Sequence, residues 1–563
     1  MSSLPSNGGT VYLRQLFDDL SWLWLFGITL LVILTYSEYG IIWDAEVQNE
    51  YGKKLLAYYM TGFVDRSAFE YQNLYLYGGA FDLLAAAVNL VSPLGEYETR
   101  SLLGGLVGVL GLVATWRLAR LLAGERAGFL ALVLLTLTPD YYGHMPINPK
   151  DMPFACGMTW ILYLACRIVA ELPKPRLGTV LWLGLVSGVT LGTRVGALLG
   201  GAYLGLILLL YLVLVRRDGA SPGETLRVAG GILRRLLPGL VLAYVVMGLC
   251  WPWAVLSPLN PLVAFQIFSH FTWPNSVLAA GVTFKASAPP LWYLPLMLAV
   301  KLPEIVLVGL VMASCSGIGW LVDWHGHRER KFTIDEEGLL WLQVLMVVLA
   351  ALFPLAYYLV MRPEVYNGIR HFLFMVPPLV VLAGMSLGRL WVAIDRWPLW
   401  LHRVALAIFS APLITQAWIM MELHPNQYIY YNALVGGVKG ANGRYELDYW
   451  GTSIAQAARE LVAYVQNENH GKMIEHKYKV LVCANYLSAM YFLPKQFELT
   501  RVISEGDFFI GLTLTGCNNS VDGQQIIRVE RLGAVLSVVK DRRSIKKSAV
   551  DIADGVPKSP ALR

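Results

Sequence analysis

Two acidic residues directly follow the first apolar run of the sequence, in the segment Gly40-Ile41-Ile42-Trp43-Asp44-Ala45-Glu46. A carboxylate held at the end of a membrane span, half-shielded from water, can take a proton from an alcohol, as a general base must. Acids beside a span also often mark only the boundary between membrane and water. Both interpretations of Asp44 and Glu46 stay open on spacing alone.

A second acidic segment, residues 138–153, reads TPDYYGHMPINPKDMP. Pro149 and Pro153 restrict the residues before them to extended conformations. We therefore expect Asp151 on a stiff turn at the start of a span, with Asn148 and Lys150 beside it. The alternative is an ordinary proline-rich external turn with solvated charges.

Cationic residues form a third group, located within or at the ends of later apolar runs. Ionisable groups at membrane depth are costly and usually face a polar cavity or each other. Guanidinium groups at such positions can bind a phosphate through two parallel hydrogen bonds. The alternative for Lys301 is a helical i, i+3 pair with Glu304. The candidates are Arg194, Lys301, Arg370 and His371.

Apolar runs long enough to span a membrane must position these residues. The chain has 563 residues, of which 56% are hydrophobic and only 15% charged, and its mean hydropathy is +0.52. These values predict a polytopic α-helical membrane protein with about 11 transmembrane helices. The runs are 21–42, 101–122, 127–143, 152–172, 177–193, 196–215, 236–254, 291–320, 338–361, 371–390 and 400–421.

The distribution of arginine and lysine predicts the orientation of these spans. With residues 1–20 in the cytoplasm, most basic loop residues lie on that side, as the positive-inside rule requires. The short apolar segment 79–91 is expected to be interfacial, so a first external loop covers 43–100. A second external loop, 255–290, contains His270, Trp273 and Lys285 and suits a lid. Eleven spans then deliver everything after Met421 to the outside.

The sequence becomes polar after the last span, and residues 425–541 predict a small extracytoplasmic α/β domain. A helix is expected at Ser453–Gln466, and strands at Val480–Cys483 and Phe508–Leu514. Cys483 and Cys517 can form a disulfide if this domain is extracytoplasmic. The tail 542–563 has few apolar residues and is expected to be disordered.

Several of these segments together resemble the GT-C superfamily of polyprenyl-phosphate-sugar-dependent glycosyltransferases. The resemblance is strongest to bacterial members of glycosyltransferase family 39 related to protein O-mannosyltransferases and to the aminoarabinose transferase of lipid A. It covers about residues 20–390. The matching features, in order, are the first-loop acids, Glu98-Thr99-Arg100-Ser101-Leu102, the turn Asn148–Pro153, the segment Leu291–Leu296 with Lys301-Leu302-Pro303-Glu304, and Arg370-His371-Phe372-Leu373 leading to Pro377-Pro378. Two further stretches, His424–Asn432 and Gly443–Gly451, are similar to a signature of some bacterial members and have no role assigned by the resemblance.

The resemblance implies roles for particular residues. Asp44 matches the catalytic first-loop aspartate, the general base of an inverting transfer. Relatives usually carry adjacent Asp and Glu, whereas an alanine separates Asp44 from Glu46 here, so the partner role of Glu46 is open. A set that positions acceptor and sugar would be Asn148, Lys150 and Asp151. A set that binds the donor phosphate would be Arg194, Arg370, His371 and Lys301, although relatives often have lysine near the position of Arg194.

The predicted function is therefore an integral membrane glycosyltransferase that moves a sugar from a polyprenyl-phosphate donor to an extracytoplasmic protein, lipid or envelope glycan. The expected location is the bacterial inner membrane, with the active site and the C-terminal domain facing the periplasm. The expected partners are the lipid-linked donor, the acceptor and membrane lipid. No metal, other cofactor or nucleic acid is expected. The alternatives are a transporter or flippase for a phosphate-bearing lipid and a partner-binding scaffold.

Overall fold

The computed structural model describes residues 8–269, 273–326, 334–470, 476–514 and 516–545. The chain divides into two compact units. The first contains residues up to Ser37, Val47–Val277 and Phe284–Met421. The second contains Glu38–Glu46, Leu278–Thr283 and the described residues from Glu422 onward. His270 of the expected lid lies outside the described residues.

The first half of the membrane unit is a series of helices, several of them long and apolar. The first helix begins well before the expected span at residue 21. In chain order the helices are α1 Gly8–Thr35, α2 Ala45–Met60, α3 Ala80–Asn89, α4 Glu96–Thr136, α5 Pro139–His144, α6 Asp151–Ala170, α7 Leu177–Leu191, α8 Leu198–Arg217, α9 Pro222–Cys250, α10 Trp253–Leu256 and α11 Asn260–Ser269.

A short hairpin separates these helices from the second half. The hairpin consists of β1 Ser276–Ala279 and β2 Val282–Lys285, so the expected lid segment contains both helix and strand. The remaining helices are α12 Tyr293–Lys301, α13 Glu304–Gly326, α14 Glu336–Met361, α15 Val376–Ile394, which follows a 3-10 turn at Arg370–Met375, and α16 Leu399–Leu423.

Nine helices within the described ranges are long and apolar enough to cross a membrane. They are α1, α4, α6, α8, α9, α13, α14, α15 with its preceding turn, and α16. Helix α4 accounts for two expected spans, because its 41 residues would extend about 60 Å, twice the hydrocarbon thickness of about 30 Å. Its path breaks at Ala123 and Gly124, which have non-helical dihedral angles. The eleventh expected span is the shorter apolar helix α7.

One of these segments differs from the sequence-based expectation, and a second does not span, as expected. The run 291–320 is two helices, because α12 ends at Lys301 and α13 begins at Glu304, after Pro303. The segment 79–91 forms the ten-residue helix α3, which is too short to span and carries the buried Asp82. Arg100 of α4 pairs with Asp82, so this ion pair fixes α3 to the start of α4.

Close contacts between small residues bring the membrane helices together. A Cβ added at Gly384 of α15 would lie 2.9 Å from the Cβ of Ala131 on α4. A larger residue at position 384 would force these helices apart, since membrane helices associate largely through such packing. This contact holds the middle of α15 against α4.

The second unit is an α/β domain, as the sequence predicts for its C-terminal part. Its helices and strands are α17 Gly437–Ala441, α18 Ser453–Glu468, β3 Tyr478–Cys483, α19 Leu487–Met490, β4 Phe497–Leu499, β5 Phe508–Leu512, β6 Gln524–Arg531 and β7 Ala534–Asp541. The sheet order is β4-β3-β5-β7-β6. Strand β3 is parallel to β4 and β5, and β7 is antiparallel to β5 and β6.

The core of this domain forms where α18 packs on the sheet. Ile454, Ala458, Leu461 and Val465 recur every three to four residues on α18 and are completely buried together with residues of β3, β5 and β7. The domain continues past its expected end, because Arg542 is buried and donates to the carbonyl oxygen of Asp522 at 2.8 Å. The rest of the expected disordered tail, from residue 546, lies outside the described residues. Cys483 and Cys517 form a disulfide with a Cα–Cα distance of 6.1 Å.

Candidate functional site

Asp151 lies at the first residue of α6, where the preceding proline-rich turn holds it. Asn148 Oδ1 accepts a hydrogen bond from the Asp151 backbone N–H at 2.9 Å. Asn148 Nδ2 donates to Asp151 Oδ2, also at 2.9 Å. Asp151 Oδ1 in turn lies 2.5 Å from Arg194 Nη2. The turn therefore fixes the carboxylate of Asp151, and the carboxylate fixes the guanidinium of Arg194.

His144 extends this network one turn back along the chain. Its Nδ1 lies 2.9 Å from Asn148 Nδ2, and the side chain is completely buried. Burial lowers the pKa of His144 to about 3, so the ring is neutral and its Nδ1 accepts the hydrogen bond from the amide. Asn148 thus links a neutral imidazole to the carboxylate of Asp151.

Arg370 is held by aromatic side chains immediately before α15. Its guanidinium lies 4.8 Å from the ring centroid of Tyr366, and its Nε donates to His371 Nε2 at 3.2 Å. Tyr366 in turn stacks on Trp273, with the two ring centroids 4.6 Å apart. Arg370 is only 8% exposed, so this cation has one well-defined orientation.

Tyr77 of the first loop lies near the cations of both networks, Arg194 in the first and Arg370 in the second. Lys150 Nζ lies 4.4 Å from its ring centroid, and the Arg194 guanidinium lies 5.9 Å away. Tyr77 also interacts electrostatically with Arg370. The residues around Tyr77 therefore form one cluster of cations, called here the cationic cluster, which consists of Lys150, Arg194, Arg370 and their partner Asp151.

The cationic cluster carries more positive than negative charge. Three of its four members are cations and one is a carboxylate. Arg370 and His371 also lie within electrostatic range of Asp151. Excess positive charge among largely buried groups favours binding of an anion, and guanidinium groups favour a phosphate or carboxylate.

Lys301 lies deeper in the protein than these residues. Its side chain is completely buried, and its Nζ lies 3.5 Å from Asp140 Oδ1. The carboxylate that the structure brings to it is thus that of Asp140, from the short helix α5. Direct contact between Lys301 and a donor phosphate would require this pair to open.

Asp44 and Glu46 belong to the second unit, where polar side chains hold their backbone. The carbonyl oxygens of Glu38, Ile41 and Trp43 accept hydrogen bonds from Arg459 (3.0 Å), Ser488 (2.7 Å) and Asn485 (3.2 Å), respectively. Glu46 Oε1 accepts from the Tyr486 hydroxyl at 2.7 Å, and this bond raises the pKa of Tyr486. Asp44 is half-buried and directly precedes α2.

The two C-terminal signature stretches support this same segment. Asp448 is buried and accepts hydrogen bonds from the Tyr428 hydroxyl and from the backbone N–H of Thr452 at 3.0 Å. The adjacent Gly451 has φ +69°, and a Cβ there would lie 2.6 Å from Trp43 Nε1. The turn around Asp448 thus packs directly against the residue before Asp44, which gives both stretches a structural role.

The sequence-predicted residues therefore fall into two groups. The structure brings Asn148, Lys150, Asp151, Arg194, Arg370 and His371 together in the first unit, with Lys301 buried beside Asp140. Asp44 and Glu46 lie in the second unit.

Sequence reasoning missed three residues that hold the cationic cluster: Tyr77, His144 and Tyr366. His144 and Tyr366 had a usable signal, since each precedes a candidate, Asn148 or Arg370, by four residues. Tyr77 had none that distinguishes it from the other tyrosines of the first loop. Among the described residues, no group of three or more His, Cys, Asp or Glu side chains could hold a metal ion.

One family model matches part of the chain. Residues 96–241 match the model described as dolichyl-phosphate-mannose-protein mannosyltransferase. The chain is similar to this family over 146 of its 563 residues. The part of the chain that matches the model contains Asn148, Lys150, Asp151 and Arg194.

Several solved structures are similar to this one. ArnT from Cupriavidus metallidurans in the apo state is 16% identical, with 93% of this chain and 98% of that chain covered and a TM-score of 0.46. The same protein bound to undecaprenyl phosphate is 14% identical, with 95% and 98% covered and a TM-score of 0.43. The oligosaccharyltransferase of Archaeoglobus fulgidus is 12% identical, with 84% and 64% covered and a TM-score of 0.46. No curated protein matches the chain.

Proposed function

We propose that this protein transfers a sugar from a polyprenyl-phosphate donor to an extracytoplasmic acceptor, with inversion at the anomeric carbon. The observation that carries the proposal is the cationic cluster, which holds two guanidinium groups and one ammonium group around a single carboxylate within a membrane protein. Such a site suits an anionic ligand. A lipid phosphate supplies the charge, and its chain can stay in the membrane. The family model matched by residues 96–241 describes a transferase with a donor of this kind.

Arg194 and Arg370 are the proposed ligands of the donor phosphate. Their guanidinium groups can each give parallel hydrogen bonds to phosphate oxygens. During transfer the bond between the anomeric carbon and the phosphate oxygen breaks, and the leaving phosphate gains negative charge. Fixed cations stabilise that developing charge without having to reorganise. Lys150 adds to the same positive field, and His371, which accepts a hydrogen bond from Arg370, holds that guanidinium group in place.

Asn148 and Asp151 then act chiefly on Arg194 and on the sugar. Their hydrogen bonds and the ion pair hold Arg194 in one orientation. The second carboxylate oxygen of Asp151 can also accept a bond from a sugar hydroxyl. Complete burial of Lys301 against Asp140 favours a positioning role for this residue.

Asp44 is the proposed general base. The backbone just before it is held by the hydrogen bonds to the carbonyl oxygens of Ile41 and Trp43. Within the described ranges, no hydrogen bond uses the Asp44 side chain, so both of its carboxylate oxygens can accept. The acceptor hydroxyl oxygen attacks the anomeric carbon, its proton passes to Asp44, and the phosphate leaves with the bonding electron pair. Glu46, held by Tyr486, supports the position of this segment. The proposed location is the bacterial inner membrane, with the reaction on the periplasmic side.

A lipid flippase is the second candidate, because the cationic cluster would serve it equally well. The two functions differ in one product. Only the transferase breaks the bond between sugar and phosphate.

The test uses purified full-length protein in nanodiscs with a panel of radiolabelled polyprenyl-phosphate sugars and an envelope extract as acceptor. We expect release of polyprenyl phosphate with one donor, together with label in the acceptor fraction. Asp522→Asn, the same change at an exposed carboxylate of the second unit, is the control for Asp44→Asn and should match the wild type. Transbilayer movement of the donors in vesicles without any release would contradict the proposal and favour the flippase.

A further inference from the structure

The second unit contains a cavity of about 480 Å³ that the donor chemistry does not use. It lies where the parallel strands β3 and β4 end, a common position for ligand sites in α/β sheets. Its volume is in the range of small-molecule sites. It is lined by Trp43, Leu481, Val482, Cys483, Ala484, Asn485, Tyr486, Leu499, Thr500, Arg501, Phe509, Ser520 and Val521.

The lining combines aromatic faces with hydrogen-bonding groups. Trp43 is 39% exposed and Tyr486 is 42% exposed, so both rings can lie flat against a ligand. Arg501 is exposed and is the one ionised residue of the lining, and no ion pair within the described ranges involves it. Thr500 contributes a hydroxyl. An aromatic surface beside hydroxyl, amide and guanidinium groups suits a sugar ring, which has apolar C–H faces and polar edges.

The cavity lies next to the proposed base along the chain. Trp43 directly precedes Asp44, and its carbonyl oxygen is held by Asn485, another lining residue. The hydroxyl of Tyr486 donates to Glu46. A ligand in this cavity therefore contacts the same segment that presents Asp44.

We propose that this cavity binds the acceptor, and that the acceptor is a carbohydrate, either a free glycan or the headgroup of a glycolipid. This inference rests on the proposed transferase function and adds the class of acceptor to it. Trp43 and Tyr486 contact the sugar faces, and Arg501, Asn485 and Thr500 bind its hydroxyl groups. An extended peptide fits less well, because the edge strand β4 has only three residues with which a peptide backbone could pair.

The test measures binding by the full-length protein in nanodiscs. The probes are an immobilised panel of di- to tetrasaccharides of common envelope sugars and a panel of serine- and threonine-containing peptides. The variants are Arg501→Ala and Tyr486→Ala. The matched control is Arg528→Ala, since Arg528 is an exposed arginine on β6, at the opposite edge of the same sheet from β4.

We expect the wild type to retain a subset of the saccharides and none of the peptides. Arg501→Ala should weaken that binding by about tenfold, as loss of a charged hydrogen bond would. Tyr486→Ala should weaken it by about two- to tenfold, as loss of an aromatic contact would. Arg528→Ala should bind as the wild type does. The same saccharide presented on a lipid in the nanodisc separates the two sources, because stronger retention of the lipid-linked form identifies a glycolipid.

Retention of peptides instead of saccharides, no retention of either, or equal binding by Arg501→Ala would each overturn the inference. Failure of the inference is distinguishable from failure of the proposed function. The latter is read from Asp44-dependent release of polyprenyl phosphate, which does not require the saccharide panel.

Discussion

Replacement of Arg370 by lysine tests whether the cationic cluster binds the donor phosphate. Lysine keeps the charge but loses the planar guanidinium group, with its contact on the Tyr366 ring and its hydrogen bond to His371. Arg370 is 8% exposed, so solvent weakens its interactions little. A lost charge-assisted hydrogen bond costs about 1.5–3 kcal/mol, and each 1.4 kcal/mol is about tenfold in affinity.

The Arg370→Lys variant should therefore lower kcat/KM for the donor by about ten- to hundredfold. The assay is release of polyprenyl phosphate in nanodiscs at varied donor concentration, with added polyprenyl phosphate as a product inhibitor. Because donor and product share the phosphate, the inhibition constant should rise in parallel with the loss in kcat/KM. Arg217→Lys, the same change at an exposed arginine in the last turn of α8, is the control.

Two results would refute this reasoning. An unchanged kcat/KM would remove Arg370 from donor binding. A fall in kcat/KM with an unchanged inhibition constant would show that Arg370 acts on the sugar or on the fold, and not on the phosphate.

Three further predictions concern the second unit. Tyr428→Phe leaves the buried carboxylate of Asp448 without one hydrogen-bond donor and should destabilise the domain by about 1.5–3 kcal/mol. The midpoint of thermal unfolding should fall, and an unchanged midpoint would argue against the hydrogen-bond network around Asp448. Burial raises the pKa of Asp448 above its ordinary value of 3.8. The contribution of this carboxyl group to the free energy of unfolding is therefore present at low pH and is lost as the pH rises through the raised pKa. Asp448→Asn should abolish this part of the pH dependence of thermal unfolding. Joint replacement of Cys483 and Cys517, which are 34 residues apart, by serine should cost about 4 kcal/mol, and alkylation of both cysteines without prior reduction would contradict the disulfide.

The sequence predicts the membrane part of the fold well because hydrophobic length is a direct signal. The break inside α4 and the break between α12 and α13 are harder to predict. The first depends on two residues with unusual dihedral angles, Ala123 and Gly124, within a continuous apolar pattern. The second follows a single proline, which membrane helices also tolerate without ending.

The α/β domain is only partly predictable. Strands β3 and β5 are continuous apolar runs and stand out, whereas β6 carries charged residues such as Arg528 and Glu530 at positions that face solvent. The hairpin between β6 and β7 turns at Leu532 and Gly533, both with positive φ, a two-residue turn with a weak sequence signal because leucine rarely adopts that conformation.

In the site, local patterns are easier to predict than contacts between residues that are distant in the sequence. The hydrogen-bonded turn that contains Asn148 and Asp151 has a local pattern and is predictable from the chain alone. Pairs formed across long sequence separations are not, because the partner of Lys301 is Asp140 and the partner of Arg100 is Asp82. Packing decides such pairs, and sequence spacing alone favours a neighbour such as Glu304.

The most direct test of the central claim compares single-turnover release of polyprenyl phosphate by the wild type and by Asp44→Asn, with the active donor and acceptor. Asparagine keeps the shape of the side chain and cannot take the proton, so folding should be unchanged while the rate falls by about 10²- to 10⁴-fold. Glu46→Gln serves as the matched variant on the same segment and should lose less. Near-wild-type turnover by a folded Asp44→Asn protein would contradict the account, because the proposed base would then take no part in the reaction.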